Sequence, residues 1–188
     1  MPLSFSELKL GSILNIDGQP YQITWQNFQR TAQRKPVLQT KLRNLINGKV
    51  IEYSFKFGEK MEEADVIRRS AQFLYFDGGF AYFMDNESYE TVSIPQDKIS
   101  DAKDFLKDGL DCHLILFEGK PVKVELPVKV EYKIVSTAPG VKGDTATGGN
   151  KPAKIETGAT VQVPLFIKEG ETIRVNTQTG EYAERASS

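Results

Sequence analysis

Residues 37–58 read Val37-Leu38-Gln39-Thr40-Lys41-Leu42-Arg43-Asn44-Leu45-Ile46-Asn47-Gly48-Lys49-Val50-Ile51-Glu52-Tyr53-Ser54-Phe55-Lys56-Phe57-Gly58. In the first eight residues, Val37, Gln39, Lys41 and Arg43 share one face, and Leu38, Thr40 and Leu42 share the other. A period of two marks a strand with one buried side. Asn47-Gly48 supplies a tight turn, and 50–57 alternates again until Gly58. The stretch is a β-hairpin, and the same grammar runs along the chain in both directions. Strand candidates fall at 12–16, ending at Asp17-Gly18, and at 21–25. Further along, 73–76 reaches Asp77-Gly78-Gly79 before 80–84 resumes, and 114–117 turns at Glu118-Gly119-Lys120 before 122–124. Candidates at 128–136, 160–163, 172–176 and 182–185 complete the set. Strands spaced about 8–12 residues apart with turn chemistry between them predict small barrels or sandwiches. One helix is predicted over 95–106, with Ile99, Ala102, Phe105 and Leu106 on one stripe and Asp108-Gly109 at its end. A shorter turn is expected around 62–68.

A chain of 188 residues built almost wholly from short strands is too long for one barrel and suits three of about 60 residues. The first boundary falls in the polar stretch around Glu62-Glu63. The second falls at Leu126-Pro127, where proline interrupts a valine-rich run. The expected domains are therefore 1–64, 65–128 and 129–188, in an all-β fold. Hydrophobic residues at 39% and charged residues at 26% support a packed core. No apolar run is long enough for a spanning helix, and residues 1–11 lack the basic and apolar regions of a signal peptide. A single cysteine, Cys112, excludes an internal disulfide framework and predicts a reducing compartment, the cytoplasm. With one histidine, His113, the chain lacks a four-ligand Cys/His zinc set and a nucleophile–base pair unless His113 carries it alone. His113 reads as a half-buried strand position. Glu62/Glu63 read as a polar linker and Asp101/Asp104 as an exposed helix face. These absences favour a binding protein over an enzyme, with no cofactor.

The net charge of −1 conceals a segregation. Residues 1–61 carry nine Lys/Arg against four Asp/Glu, 62–128 seven against fourteen, and 129–188 eight against seven. Between 18 and 51 lie Arg30, Arg34, Lys35, Lys41, Arg43 and Lys49, and no acidic residue. Such a stretch is the footprint expected of a polyanion partner, most often nucleic acid, and it reads equally well as a solvated surface that lacks acids. Within it, the loop 28–36 lies between two strands and has no large apolar residue between Phe28 and Val37 to tie its apex to a core. Arg30, Arg34 and Lys35 are expected to project together there, suited to an RNA-lined cleft; the alternative reading is a solvated loop. The segment 140–151 holds four glycines, and Thr and Lys supply polar contacts. It lacks the Gly-Lys-Ser/Thr core of a phosphate loop, so the residues alone read it as a flexible surface loop.

The C-terminal part carries Lys151-Pro152-Ala153, Gly158, Val161, Val163-Pro164, Ile167 and Gly170. That spacing resembles the signature of bacterial translation elongation factor P. Pro139-Gly140-Val141-Lys142-Gly143-Asp144-Thr145-Ala146, Tyr75-Phe76-Asp77-Gly78 with Phe83-Met84-Asp85, residues 1–18, Lys41-Leu42-Arg43 and Gly180-Glu181-Tyr182 resemble the same family. The likeness covers essentially the whole chain. It implies a KOW/SH3-like domain followed by two OB-like domains in an L-shaped arrangement that mimics tRNA. It implies a non-enzymatic, monomeric factor that binds the 70S ribosome between the peptidyl and exit tRNA sites. There the factor contacts rRNA and peptidyl-tRNA, and promotes peptide bond formation at polyproline stalls. Proline is a poor nucleophile with fixed φ, so holding the acceptor end in a productive pose lowers the barrier.

The same resemblance assigns residues. Arg30, Thr31, Ala32, Gln33, Arg34 and Lys35 are expected at the transferase centre. Gly140, Lys142, Gly143, Asp144, Thr145, Gly148 and Gly149 are expected near exit-site mRNA or small-subunit RNA. Tyr182 and Arg185 match family positions implicated in function; as residues alone they read equally well as part of a terminal strand with a packed tyrosine. Many relatives read Lys-Pro-Gly-Lys-Gly at the tip, where the second lysine can carry a post-translational extension; others present an arginine that can be glycosylated. Gap-free counting from Lys41-Leu42-Arg43 places Gln33 at that tip. It has neither the amine nor the guanidinium those modifications use. A shift of one or two residues would bring Arg34 or Lys35 to the apex instead, so the candidate modification position is Gln33 or Arg34. The altered tip leaves two alternatives: a divergent paralogue relieving other stall motifs, or a general OB-type RNA-binding protein.

Overall fold

The structure, a computed structural model, describes residues 1–140 and 149–186. Its strands form three β-sheets. The first comprises β1 (Pro2–Ser4), β2 (Ile13–Ile16), β3 (Gln19–Gln29), β4 (Val37–Asn44), β5 (Val50–Lys56) and β6 (Lys60–Glu63), in the order β1-β6-β2-β3-β4-β5. The second comprises β7 (Val66–Asp77), β8 (Phe80–Asp85), β9 (Thr91–Pro95), β10 (Asp111–Phe117) and β11 (Lys120–Glu125), in the order β11-β10-β7-β8-β9. The third comprises β12 (Lys129–Thr137), β13 (Asn150–Ile155), β14 (Thr160–Pro164), β15 (Thr172–Asn176) and β16 (Glu181–Arg185), in the order β14-β13-β12-β15-β16.

Turn chemistry fixes several hairpins. Asp17 and Gly18 have φ of 52° and 76°, and Glu118 and Gly119 have φ of 51° and 78°. Positive φ at both central positions is the twist a two-residue hairpin loop requires. The Asn47-Gly48 turn differs from expectation. The chain loops over the five residues from Leu45 to Lys49 because Leu45 is buried against Ala64, Ile115, Phe117 and Val122. The Asn44 side chain organises that loop by accepting hydrogen bonds from the Ile46 and Asn47 amides at 2.8 and 3.2 Å.

By internal contact the chain forms two compact units. One joins Met1–Arg69 to Leu114–Lys123; the other joins Ser70–His113 to the residues from Val124 onward. The first unit has one core of Leu8, Leu14, Ile23, Leu38, Leu42 and Phe55, and a second around Leu45 and Phe117. In the second unit, Val130, Tyr132, Ile134, Ile155, Val163, Ile173 and Val175 build the core of the β12–β16 sheet. Phe105 and Leu110 pack against that core from outside the sheet. The Tyr132 hydroxyl donates to the Phe105 carbonyl at 2.5 Å, and Thr157 donates to the Asp104 carbonyl at 2.6 Å.

Three further expectations need correction. The predicted helix over 95–106 is a 3-10 turn at Gln96–Ile99 followed by one α turn, α1 (Ser100–Lys103). Its stripe is nevertheless right, since Ile99, Ala102 and Leu106 are buried; two short turns meet the core as well as a longer helix would. The 62–68 stretch forms no helical turn: Pro2–Ser4 pairs with Lys60–Glu62 and draws β6 into the first sheet, and after Ala64 and Asp65 the chain enters β7 at Val66. His113 stands exposed on β10, while its neighbours Cys112 and Leu114 alternate inward. Burial, and secondarily the charge of Asp111, pushes the Cys112 thiol up to about 12, so it stays protonated and unreactive at neutral pH. Among the described residues no group of three metal-ligating side chains occurs, and no helix is long and apolar enough to cross a membrane.

Candidate nucleic-acid interface

Strands β3 and β4 pair from Tyr21↔Asn44 out to Gln29↔Val37, leaving the seven residues from Arg30 to Pro36 as the loop. The Arg34 amide donates to the Thr31 carbonyl at 3.2 Å, so Ala32 and Gln33 form the centre of the turn. Arg30, Thr31, Ala32, Gln33, Arg34 and Lys35 are all exposed. Among the described residues none of the three cations makes an ion pair. Gln33 and Arg34 border a shallow hollow with Gln29 and Val37. A donor-rich tip with uncommitted charge can hold phosphate or a nucleotide edge.

The base of the hairpin is stiffened by residues that sequence distance hides. The Phe5 ring lies 6.0 Å from Phe28 and 6.0 Å from Phe57, at interplanar angles of 57° and 66°. These are the tilted and edge-on arrangements aromatic rings prefer. The Phe57 amide donates to the Pro36 carbonyl at 3.2 Å, tying the end of β5 to the loop. Three separate parts of the chain thus grip the loop at its root.

The register of β3 slips by one residue between Ile23 and Trp25. Without that bulge at Thr24, Trp25 would follow Ile23 onto the core face. With it, Trp25 pairs with the outward-facing Lys41 and is 43% exposed, with the Lys41 ammonium 5.7 Å from the ring centre. The bulge therefore turns the chain's single tryptophan outward beside Lys41.

The segment 141–148 lies outside the described residues, and with it Lys142, Gly143, Asp144, Thr145 and Gly148. Its flanks are closely held. A Cβ on Gly140 would lie 2.4 Å from the Leu165 carbonyl oxygen, and the Leu165 amide donates to the Gly149 carbonyl at 3.1 Å. Gly149, at φ 80°, occupies the left-handed region that favours glycine. Lys151, expected as part of a surface loop, is instead buried at the start of β13 and donates to the Ala138 carbonyl at 2.5 Å. Gly140→Ala is expected to cost about 2 kcal/mol, because neither backbone can yield cheaply. Urea unfolding checks this, and a midpoint equal to the parent's would contradict it.

Tyr182 and Arg185 stand on β16 but in different surroundings. Tyr182 is half-buried, packs against the β12–β16 core, and borders a hollow with Gln162 and Pro164. Arg185 is exposed, donates to Glu171 at 2.6 Å, and lies 5.4 Å from the centre of the exposed Phe166 ring. Nearby, Arg174 joins Glu131 and Glu184 at 3.2 and 3.3 Å, which holds the Glu184 carboxyl below its usual range.

A basic, aromatic-rooted hairpin on the first of three β-sheets defines an all-β protein with one cationic surface loop. Family comparison makes the assignment specific. The elongation factor P KOW-like domain matches residues 4–61, its OB domain matches 66–124, and its C-terminal domain matches 130–185. Elongation factor P of Moorella thermoacetica is 43% identical over 184 residues, spanning 98% of this chain and 100% of that one. That of Coprothermobacter proteolyticus is 44% identical over 183 residues, spanning 97% and 98%. The solved structure of eukaryotic translation initiation factor 5A from Methanococcus jannaschii shares the fold, with a TM-score of 0.50 at 21% identity over 68% of this chain and 92% of that one. The chain belongs to the elongation factor P family of translation elongation factors.

Proposed function

We propose that this chain binds the 70S ribosome in the cytoplasm, between the peptidyl and exit tRNA sites, and promotes peptide bond formation at polyproline stalls. Its three domains, 1–64, 65–128 and 129–188, act as a monomeric positioning device without a cofactor, and the ribosome performs the chemistry. The observation that carries this reading is the exposed tip of the β3–β4 hairpin. Arg30, Arg34 and Lys35 project from it without ion pairs among the described residues, and a phenylalanine trio fixes its root. Held in place, such a tip lowers the entropic part of the barrier by restraining the acceptor end of peptidyl-tRNA. Gln33, central to the turn, contributes its amide as donor and acceptor, so the tip works without a modification. Residues 140–149 face exit-site mRNA or small-subunit RNA, and Tyr182 and Arg185 support contacts made by the C-terminal domain.

Three measurements test the reading. The chain is expected to co-sediment with 70S ribosomes, and mass spectrometry of its native loop peptide is expected to show an unmodified mass. Gln33→Ala should slow polyproline synthesis about tenfold, the equivalent of one oriented hydrogen bond, with ribosome affinity little changed. An added group on Gln33, Arg34 or Lys35 would contradict the unmodified tip, and failure to co-sediment would contradict ribosome binding.

A further inference from the structure

We propose that the outer face of β7–β9 docks an arginine-bearing segment of a basic protein partner, seated on a stacked pair of tyrosines. The register of β7 slips between Phe73 and Tyr75, as that of β3 does before Trp25. Phe73 is buried against Phe83, with ring centres 5.4 Å apart, and strict alternation would send Tyr75 to the same core face. The bulge at Leu74 turns Tyr75 outward instead, opposite Tyr82. The two rings stack 4.9 Å apart at 23°, and Tyr75 is 50% exposed. Phe80, on the next outward row of β8, is 40% exposed and pairs across the sheet with Asp77 and Pro95. The fold thus gives up the burial of an aromatic to present an open, flat platform.

Charge identifies the occupant. Residues 70–97, which form most of β7 and all of β8 and β9, contain five Asp/Glu and no Lys or Arg. This is the reverse of 18–51, where six cations stand without an acid. Asp77 shares the outward row with Phe80, and Glu90 and Asp97 are exposed on the adjoining turns. RNA binding draws most of its affinity from cations against phosphate; the cations of β7, Arg68 and Arg69, lie toward its opposite end from Tyr75, and residues 70–97 carry none. An arginine side chain meets both features, since its guanidinium stacks on tyrosine and pairs with a carboxylate. The two outward-turned aromatics therefore serve opposite partners: Trp25 beside Lys41 suits a polyanion, and Tyr75 beside Tyr82 suits a polycation. This proposal does not depend on where the chain acts.

The test titrates the full isotope-labelled chain with three probes while NMR shifts are followed. The probes are an eight-residue Arg-Gly repeat peptide, its Lys-Gly counterpart, and an eight-nucleotide oligouridylate. The Arg-Gly peptide is expected to shift Tyr75, Tyr82 and Ser93 first, and the Lys-Gly peptide to bind more weakly. Tyr75→Ser with Tyr82→Ser should weaken Arg-Gly binding about fivefold. Asp77→Lys, which leaves the tyrosines intact, should weaken it in the same direction. Three results would overturn the proposal: no shift of the tyrosines at millimolar peptide, shifts confined to other acids such as Asp101 and Asp104, or oligouridylate moving Tyr75 and Tyr82 in place of the peptide.

Discussion

Replacing Arg30, Arg34 and Lys35 together by glutamate is expected to weaken ribosome binding, and with it polyproline synthesis, by about a hundredfold or more at moderate salt. The three side chains are exposed at a tip whose turn is closed by backbone, the Arg34 amide donating to the Thr31 carbonyl. None of them contributes to a core, so thermal stability should move by no more than about 0.5 kcal/mol. The salt dependence identifies the mechanism. Each lost phosphate contact removes about one unit from the slope of log affinity against log salt, so the triple variant should flatten that slope by about three. Affinity measured across a salt series reads both quantities. A large loss with an unchanged slope would mean that the tip recognises something other than phosphate.

Tyr132→Ala should have the largest effect on stability, about 4 kcal/mol. Tyr132 is fully buried and sits at the centre of the β12–β16 core. Its hydroxyl holds the Phe105 carbonyl at 2.5 Å, and its ring faces Phe105 at 6.1 Å and the Lys107 ammonium at 5.2 Å. Burial, and then the charge of Glu156, pushes the phenol well above its usual range, so it remains a donor at any physiological pH. Truncation removes the ring, opens a cavity and leaves that carbonyl without its partner. Tyr132→Phe isolates the hydrogen bond and should cost about 1–2 kcal/mol. Urea unfolding of both variants separates packing from polar contact. A loss below about 1 kcal/mol for the alanine variant would show that the segment around Phe105 does not depend on this anchor.

Most of the fold was legible because strand alternation and turn residues carry it. Leu38, Thr40 and Leu42 read as one inward face and are all buried. Asp17-Gly18 and Glu118-Gly119 demand a backbone that few other turns use. What escaped detection depends on contacts between distant residues. The bulges at Thr24 and Leu74 leave no mark in residue type, yet they decide whether Trp25 and Tyr75 face in or out. The trio of Phe5, Phe28 and Phe57 comes from three separate segments, so no local pattern announces it. β13 was hidden because Lys151-Pro152 resembles the end of a loop; the lysine is accepted in the interior only because the Ala138 carbonyl receives its charge. Similarly, the stripe of Ile99, Ala102 and Leu106 fits two short turns and a longer helix alike. The hairpin loop was more accessible, since its basic run without acids is visible in composition alone.

The most direct test is synthesis of a Pro-Pro-Pro peptide against a proline-free control, in a reconstituted system without other elongation factor P, using unmodified recombinant chain. The proposed function predicts selective rescue of the proline peptide, with little effect on the control. Absence of rescue by a chain that nonetheless co-sediments with those ribosomes would contradict a tip that positions peptidyl-tRNA through Gln33 and its flanking cations alone.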